Sequence, residues 1–396
     1  MTVWDDLVGQ DETVGVLRSA AQAGAALARG QAVATGSMTH AWLFTGPPGS
    51  GRSVAARAFA AALQCDRPEG VGCGECAACR SVRNRSHPDV HSVVPDGLSI
   101  SVAETRAVVG RAARRPALGR WQVVVVEDAD RLTEQAGNAL LKAVEEPSER
   151  TVFLLCAPST HPDDVSVTLR SRCRLVVLRT PPADAVAAAL MKGGLDDGTA
   201  RWAAAAGQGH IGRSRRLVRD SAARDRREAV LAIPASLTSL QACLNAADHL
   251  VTAAEQEAAA QAAELDADET EALQTALGAG GTGKGAAAAA RGMAGPLKDL
   301  ERRQKSRSTR AQRDALDRAL VDLAAFYRDV ILIQARARVD AAHPDFDDDA
   351  RAVALRVPAP GVLQRLDAVL ACREALELNV KPRIAVEAMT AQLRLP

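Results

Sequence analysis

The segment Gly46-Pro47-Pro48-Gly49-Ser50-Gly51-Arg52-Ser53 follows an apolar run and opens a helical pattern. Glycines at this spacing let a loop turn its backbone N–H groups inward, and a following helix adds its own free N-terminal donors. The chemistry is phosphate binding, with Ser53 placed to ligate Mg²⁺. Arg52 stands where the pattern carries lysine. It keeps the charge but offers a wide planar fork in place of a compact ammonium. The expected result is a loop that keeps its shape without binding ATP productively. A second departure lies downstream. Val123–Val126 is followed by Glu127-Asp128-Ala129-Asp130, whereas a hydrolysing site has Asp then Glu, one holding Mg²⁺ through water and the other orienting the attacking water. Here the order is reversed, and Asp128 is one methylene shorter than the usual base.

Cys65, Cys73, Cys76 and Cys79 form a C-x7-C-x2-C-x2-C pattern. Four thiolates at such spacings can close a tetrahedral Zn²⁺ site with no open position, which is a structural site. An iron–sulfur cluster is the lesser alternative. Disulfides are disfavoured in a cytoplasmic protein. Cys156, Cys173, Cys243 and Cys372 are scattered and read as buried structural cysteines. Arg80, Arg83 and Arg85 follow the cluster directly and read as a solvated surface, or as contacts to DNA or a partner. One more group could act on phosphate. An arginine at a domain edge, such as Arg172 in Ser171-Arg172-Cys173, can reach a γ-phosphate held by a neighbouring subunit, although taken alone it is unremarkable and its meaning depends on the family. Such fingers are worth about 10³–10⁵ in rate in GTPases.

These groups need a scaffold. Helical patterns are expected over 11–28, from Arg52, over Val102–Arg114 and over Thr133–Glu146. Short buried strands are expected at His40–Thr45, Ser92–Val94, Gln122–Glu127, Val152–Cys156 and Leu175–Leu178. That alternation predicts an α/β fold with a parallel sheet covered on both faces. Pro181-Pro182 ends this domain, residues 183–219 read as a small helical unit, and from about 225 the pattern is helical only. Leu316, Leu320, Leu323, Tyr327, Val330, Ile331 and Gln334 make a helical stripe. Residues 277–296 are Gly/Ala-rich and read as a flexible loop, and Lys298–Arg313 as a solvated helix face.

With 396 residues the chain is too long for one ordinary core. Its net charge of +1 supplies no global field toward nucleic acid or membrane. Without a signal-peptide pattern or a membrane-length apolar stretch, a cytoplasmic protein is expected.

Several pieces together resemble one family. Trp4-Asp5-Asp6-Leu7-Val8-Gly9-Gln10 is similar to the segment that lines the adenine pocket in clamp-loader AAA+ subunits. Asn138-Ala139-Leu140-Leu141-Lys142 with Glu145-Glu146-Pro147, the cysteine insertion after the loop helix, and Ser171-Arg172-Cys173 resemble the same subunits. The chain is identified as resembling the clamp loader of bacterial DNA polymerase III, and its delta-prime branch in particular. The strong motifs cover 4–173; a weaker helical likeness extends to Leu378-Asn379-Val380 and Pro382.

The resemblance implies an AAA+ P-loop domain over 1–180 with the zinc module at 65–79, a helical lid over 181–224 and a helical collar over 225–396. It implies a hetero-oligomer with gamma/tau and delta subunits that loads a sliding clamp onto primed DNA, with Arg172 as a finger acting in trans. Any nucleotidyltransferase label would belong to the assembled polymerase holoenzyme. Gly46, Gly49, Gly51, Arg52, Ser53, Glu127 and Asp128 would form a degenerate nucleotide site, with ATP and Mg²⁺ doubtful. Near Gly209-His210-Ile211-Gly212-Arg213, the family's sensing arginine falls about at Gly212, one position from Arg213. Two competing readings remain: an active gamma/tau-type ATPase, and a zinc-dependent nucleic-acid module using Arg111, Arg114 and Arg115.

Overall fold

Ala41–Thr45, Gln122–Val126 and Thr151–Ala157 carry no charged residue, are too short for ordinary helices and are apolar on both faces. Such runs leave water only inside a sheet covered on both sides. In the computed structural model, which describes residues 2–67, 71–277 and 286–395, with the side chains of 286–294 excluded, they become the three central strands. The first part of the chain runs α1 (Asp11–Ala28), β1 (Ala41–Thr45), α2 (Arg52–Gln64), α3 (Ala77–Arg83), β2 (Val90–Val93), α4 (Val102–Ala112), β3 (Gln122–Val126), α5 (Glu134–Glu145), β4 (Thr151–Ala157), α6 (Val167–Arg170) and β5 (Arg174–Val177). The five strands are parallel, in the order β2-β3-β4-β1-β5. Each expected strand is present, with its ends shifted by at most two residues.

Side chains alternate across a strand, and the sheet divides its core accordingly. Trp42, Phe44, Val123, Val125, Leu154 and Cys156 pack with Leu17 of α1 and with Phe59 and Leu63 of α2. Leu43, Val124, Val126, Phe153 and Leu155 pack on the other face with Val108 of α4 and Leu140 and Val144 of α5. Trp42 meets Phe59 edge to face at 4.9 Å, a geometry worth about 0.5–1.5 kcal/mol beyond its area. β1 and β3 are separated by β4 alone. The loops leaving their C-terminal ends, Gly46–Gly51 and Glu127–Asp130, therefore open on the same edge of the sheet, where ligands bind in parallel α/β folds.

The chain divides into two compact units, one of residues 1–95 and 99–215, the other of 96–98 and 216–396. α7 (Ala183–Lys192), α8 (Asp197–Gly207) and the start of α9 (Ile211–Arg219) belong with the sheet. The second unit is helical: α10 (Ser221–Leu231), α11 (Ile233–Ser236), α12 (Leu240–Ala276), α13 (Ala286–Ala335), α14 (Asp347–Arg356), α15 (Ala359–Glu377) and α16 (Pro382–Gln392). Its core takes Leu316, Leu320, Leu323, Tyr327 and Val330 from the stripe on α13, with Ile331 packed against them. Gln334 donates to the carbonyls of Ala354 and Val357 at 3.0 and 2.7 Å.

Two expectations for this unit change. Of the Gly/Ala-rich stretch 277–296, residues 278–285 lie outside the described residues, while 286–296 form the first turns of α13 rather than a loop; alanine is the best helix former, and length overrides a few glycines. The charged run 298–313 is not simply solvated. Arg307 pairs with Asp266 and Glu269 of α12, and Arg313 donates to the Leu376 carbonyl at 3.0 Å and to Asn379 at 2.8 Å. Long arginines here fasten helices together.

Candidate functional site

The glycine loop has the backbone its sequence demands. Gly46, Gly49 and Gly51 have φ of 155°, 86° and 93°. A β-carbon at Gly46 would stand 2.4 Å from the Leu178 carbonyl, and one at Gly49 would stand 2.7 Å from His210 Cβ. Gly51 is the N-cap of α2 and supplies no side-chain cap, so the first N–H groups of the helix are left for another acceptor. The loop is pinned from behind by Gln10, whose Nε2 donates to the carbonyls of Ser50 at 3.3 Å and Arg179 at 2.6 Å. Ser53 is half-buried in the first turn. Two polar atoms of the loop are buried without a hydrogen-bond partner, Ser50 Oγ and Arg52 Nη1.

Glu127 leaves β3 with its side chain only 12% exposed, and two arginines claim it. Arg57 Nη1 of α2 lies at 2.9 Å and Arg85 Nη2 at 3.4 Å. The carboxylate thus faces two protein cations. Arg85 takes this position with a left-handed backbone, φ 58°, a conformation costing of order 1 kcal/mol for a residue with a side chain. Asp130, two residues beyond Asp128, has its carboxyl raised by burial. Burial, then repulsion from Glu127, pushes the Cys156 thiol up as well, so Cys156 is an inert core residue. Cys173 is pushed up to about 12 and Cys372 to about 11, each by burial.

The four clustered cysteines converge. Their sulfurs all lie within 4.8 Å of one another, a set that could hold a metal ion. Cys65 ends α2 and Cys76 caps α3. The amides of Glu75 and Cys76 donate to Cys73 Sγ at 3.4 and 3.3 Å, and the Cys79 amide donates to Cys76 Sγ at 3.4 Å. Burial opposes the Cys73 thiolate, but these donors outweigh it and bring its pKa down to about 7. At Cys73 the donors favour the thiolate that a metal ligand requires, whereas burial pushes the Cys79 thiol up. The Trp4 indole N–H donates to the Val71 carbonyl at 3.0 Å, and the Val3 amide to that of Gly72 at 3.0 Å. The opening segment therefore touches both the cysteine loop, through Val3 and Trp4, and the glycine loop, through Gln10.

Arg172 sits just past α6 and is exposed. Its guanidinium donates to the Thr168 carbonyl at 2.9 Å and pairs with Glu145, at the end of α5, at 2.7 Å. These partners lie outside the glycine loop. Arg57 is the residue at Glu127 that the sequence does not point to, and Arg85 pairs there too. The sequence reads Arg85 as solvated surface or as a contact to DNA or a partner, and no motif surrounds Arg57.

The segment 24–182 matches the family described as "DNA polymerase III, delta subunit". Among curated relatives, DNA polymerase III subunit delta' of Pseudomonas aeruginosa is 41% identical over 137 residues, 34% of this chain and 41% of the relative. The delta' subunit of Escherichia coli K12 is 38% identical over 146 residues, 36% and 43% of the two chains. Subunit tau of Bacillus subtilis is 33% identical over 173 residues, 43% and 28%. The matched part thus spans under half the length of these relatives. A gamma subunit-related protein of Thermotoga maritima covers 90% of this chain and 94% of its own at 15% identity, with a TM-score of 0.37. Over residues 24–182 this chain is thus similar to the DNA polymerase III delta-subunit family.

Proposed function

We propose that this protein is a delta-prime-type clamp-loader subunit, one that assists ATP-dependent loading of a sliding clamp onto primed DNA without hydrolysing ATP itself. The observation that carries the non-hydrolysing part is the double pairing of Glu127 with Arg57 and Arg85, beside a loop with Arg52 in the lysine position. A site that has spent its acid on two arginines has no group left at that position to order a metal-bound water. Arg172 then acts in trans. Exposed beyond α6 and tethered lightly to Glu145, it swings to the γ-phosphate of a neighbouring gamma/tau-type subunit and stabilises the charge that develops there. Residues 181–224 serve as the lid and 225–396 as the collar through which gamma/tau and delta subunits assemble.

Cys65, Cys73, Cys76 and Cys79 hold a structural zinc. Four thiolates leave no open position, so the metal braces the end of α2 and the start of α3 and supplies no reaction chemistry. The test is Arg172→Ala in a reconstituted loader. Clamp- and DNA-stimulated ATPase should fall at least tenfold, against the about 10³–10⁵ of measured fingers. Unchanged turnover refutes the finger. The match to tau and the intact glycine turns favour a second reading, an active ATPase; turnover by the isolated chain above background would establish it in place of the first.

A further inference from the structure

A cavity of about 260 Å³ opens between α2, the end of α3 and β2, and no residue of the glycine loop lines it. Its polar lining is Arg57, Arg85, His87 and Ser92, and none of its lining residues is acidic. Arg57 Nη1 and Arg85 Nη2 approach the same oxygen of Glu127, Oε1, at 2.9 and 3.4 Å. Two guanidinium charges thus share one carboxylate, and one positive charge is left over at the cavity wall. Each guanidinium carries five N–H donors, so both arginines keep donors beyond those turned to Glu127. His87 is 8% exposed, and its Nδ1 accepts the Asp89 amide at 3.1 Å. Burial holds the ring below its ordinary 6.5, so it is neutral near pH 7 with its one proton on Nε2, a further donor. Ser92 adds an exposed hydroxyl from β2. The lining therefore donates, and its donors arrive from three separate elements. A planar carboxylate is already satisfied by one guanidinium fork; donors from several sides suit a tetrahedral oxyanion. Sites for ordinary small molecules run to about 300–1,000 Å³, so the occupant is small.

We propose that this cavity binds a single phosphate group, free or carried by a small monoester, on Arg57, Arg85, His87 and Ser92. Val82, Val90 and Val94 complete the lining and give a monoester an apolar wall for its carbon group. Arg85 is the residue that commits most to the site. It holds a left-handed backbone, φ 58°, while its side chain is 55% exposed and its contact with Glu127 is long. A surface pair of that kind offsets little of the backbone cost, and strained residues gather where a ligand is held. Binding here requires neither nucleotide nor turnover at the glycine loop.

The experiment is NMR of the full chain labelled with ¹⁵N-histidine, titrated with inorganic phosphate and with phenyl phosphate at fixed pH and ionic strength. The His87 ring signal, assigned by its loss in His87→Gln, reports the cavity. His210 packs on Gly49, where a β-carbon would stand 2.7 Å from its own Cβ, and so reports the glycine loop separately. The His87 Nε2 signal should shift and saturate with a midpoint of about 1 mM or below. Arg85→Ala should raise that midpoint about tenfold or more, as loss of a charge-assisted contact does, and leave any His210 titration where it was. Ser92→Ala, an exposed change that spares the fold, should raise it severalfold. A lower midpoint for phenyl phosphate makes the ligand a monoester; equal midpoints make it free phosphate. No saturable His87 shift with either anion up to about 20 mM, or a midpoint that Arg85→Ala leaves unmoved, overturns the proposal.

Discussion

Asp89→Asn is the substitution from which the structure predicts the most for the fewest atoms. Asp89 is 1% exposed and follows His87 just ahead of β2. Its Oδ1 accepts the Ala117 amide at 2.7 Å and Gln122 Nε2 at 3.1 Å; its Oδ2 accepts the amides of Leu118 and Gly119 at 2.8 and 2.6 Å. Its own carbonyl accepts the Val123 amide at 2.9 Å. One carboxylate thus shapes the turn that feeds β3, and with it the placement of Glu127. Asparagine has nearly the same outline, but both oxygens of Asp89 face donors only. Whichever way the new amide is turned, its NH₂ meets two N–H groups. Each lost bond to a charged acceptor is worth about 1.5–3 kcal/mol. Residues 117 and 118 are exposed, so water recovers part of the loss, and about 2–4 kcal/mol is expected.

The pH dependence provides an independent check. Burial raises the Asp89 carboxyl, but the amides of Ala117, Gly119 and Leu118 outweigh it and hold the group below its ordinary 3.8. A depressed carboxylate contributes stability that is full above the unfolded pKa and is lost as the pH falls through the folded one. Urea unfolding followed by tryptophan emission, with Trp121 adjacent, should show a lower midpoint for Asp89→Asn at neutral pH and a smaller loss of stability on acidification below about pH 4. A destabilisation under about 0.5 kcal/mol, or an unaltered acid slope, would refute the reasoning.

Two further outcomes are expected. Metal analysis should find about one zinc per chain, with chelation or Cys79→Ser removing it and destabilising the first unit by several kcal/mol; a metal-free chain of unchanged melting temperature would contradict the zinc assignment. Glu257, 10% exposed, is held by Arg216 at 2.7 Å, Arg226 at 3.2 Å and Arg318 at 2.7 Å. Burial raises its carboxyl, yet the three arginines prevail and keep it below 4.5. Glu257→Gln should cost about 1–2 kcal/mol at neutral pH, since the arginines are a third exposed and regain water. The difference should shrink as the pH falls below about 4.5.

What could be seen in the sequence follows from the range of the forces involved. Buried parallel strands announce themselves as apolar runs, so β1, β3 and β4 were legible, as was the turn at Gly46–Gly51, where only glycine tolerates the backbone. The cysteine spacing was legible because a tetrahedron of sulfurs needs a short chain. The partners of Glu127 were not, because Arg57 is separated from it by 70 positions and nothing local marks an arginine as paired. The charged run 298–313 misled for the same reason. Charge argues for water only until an opposite charge is packed beside it, and Asp266 and Glu269 lie about 40 positions away.

The grip of Arg57 and Arg85 on Glu127 also couples parts of the fold that are far apart in sequence. Arg85 extends from the end of the cysteine-braced helix α3, so the acid of the second motif is tied to a module absent from its own motif. Lysine at position 52 would by itself meet an acid already engaged, and releasing that acid would strand two arginines over a half-buried surface. If the proposed non-hydrolysing reading holds, a single change toward turnover therefore begins with the loss of a paired acid.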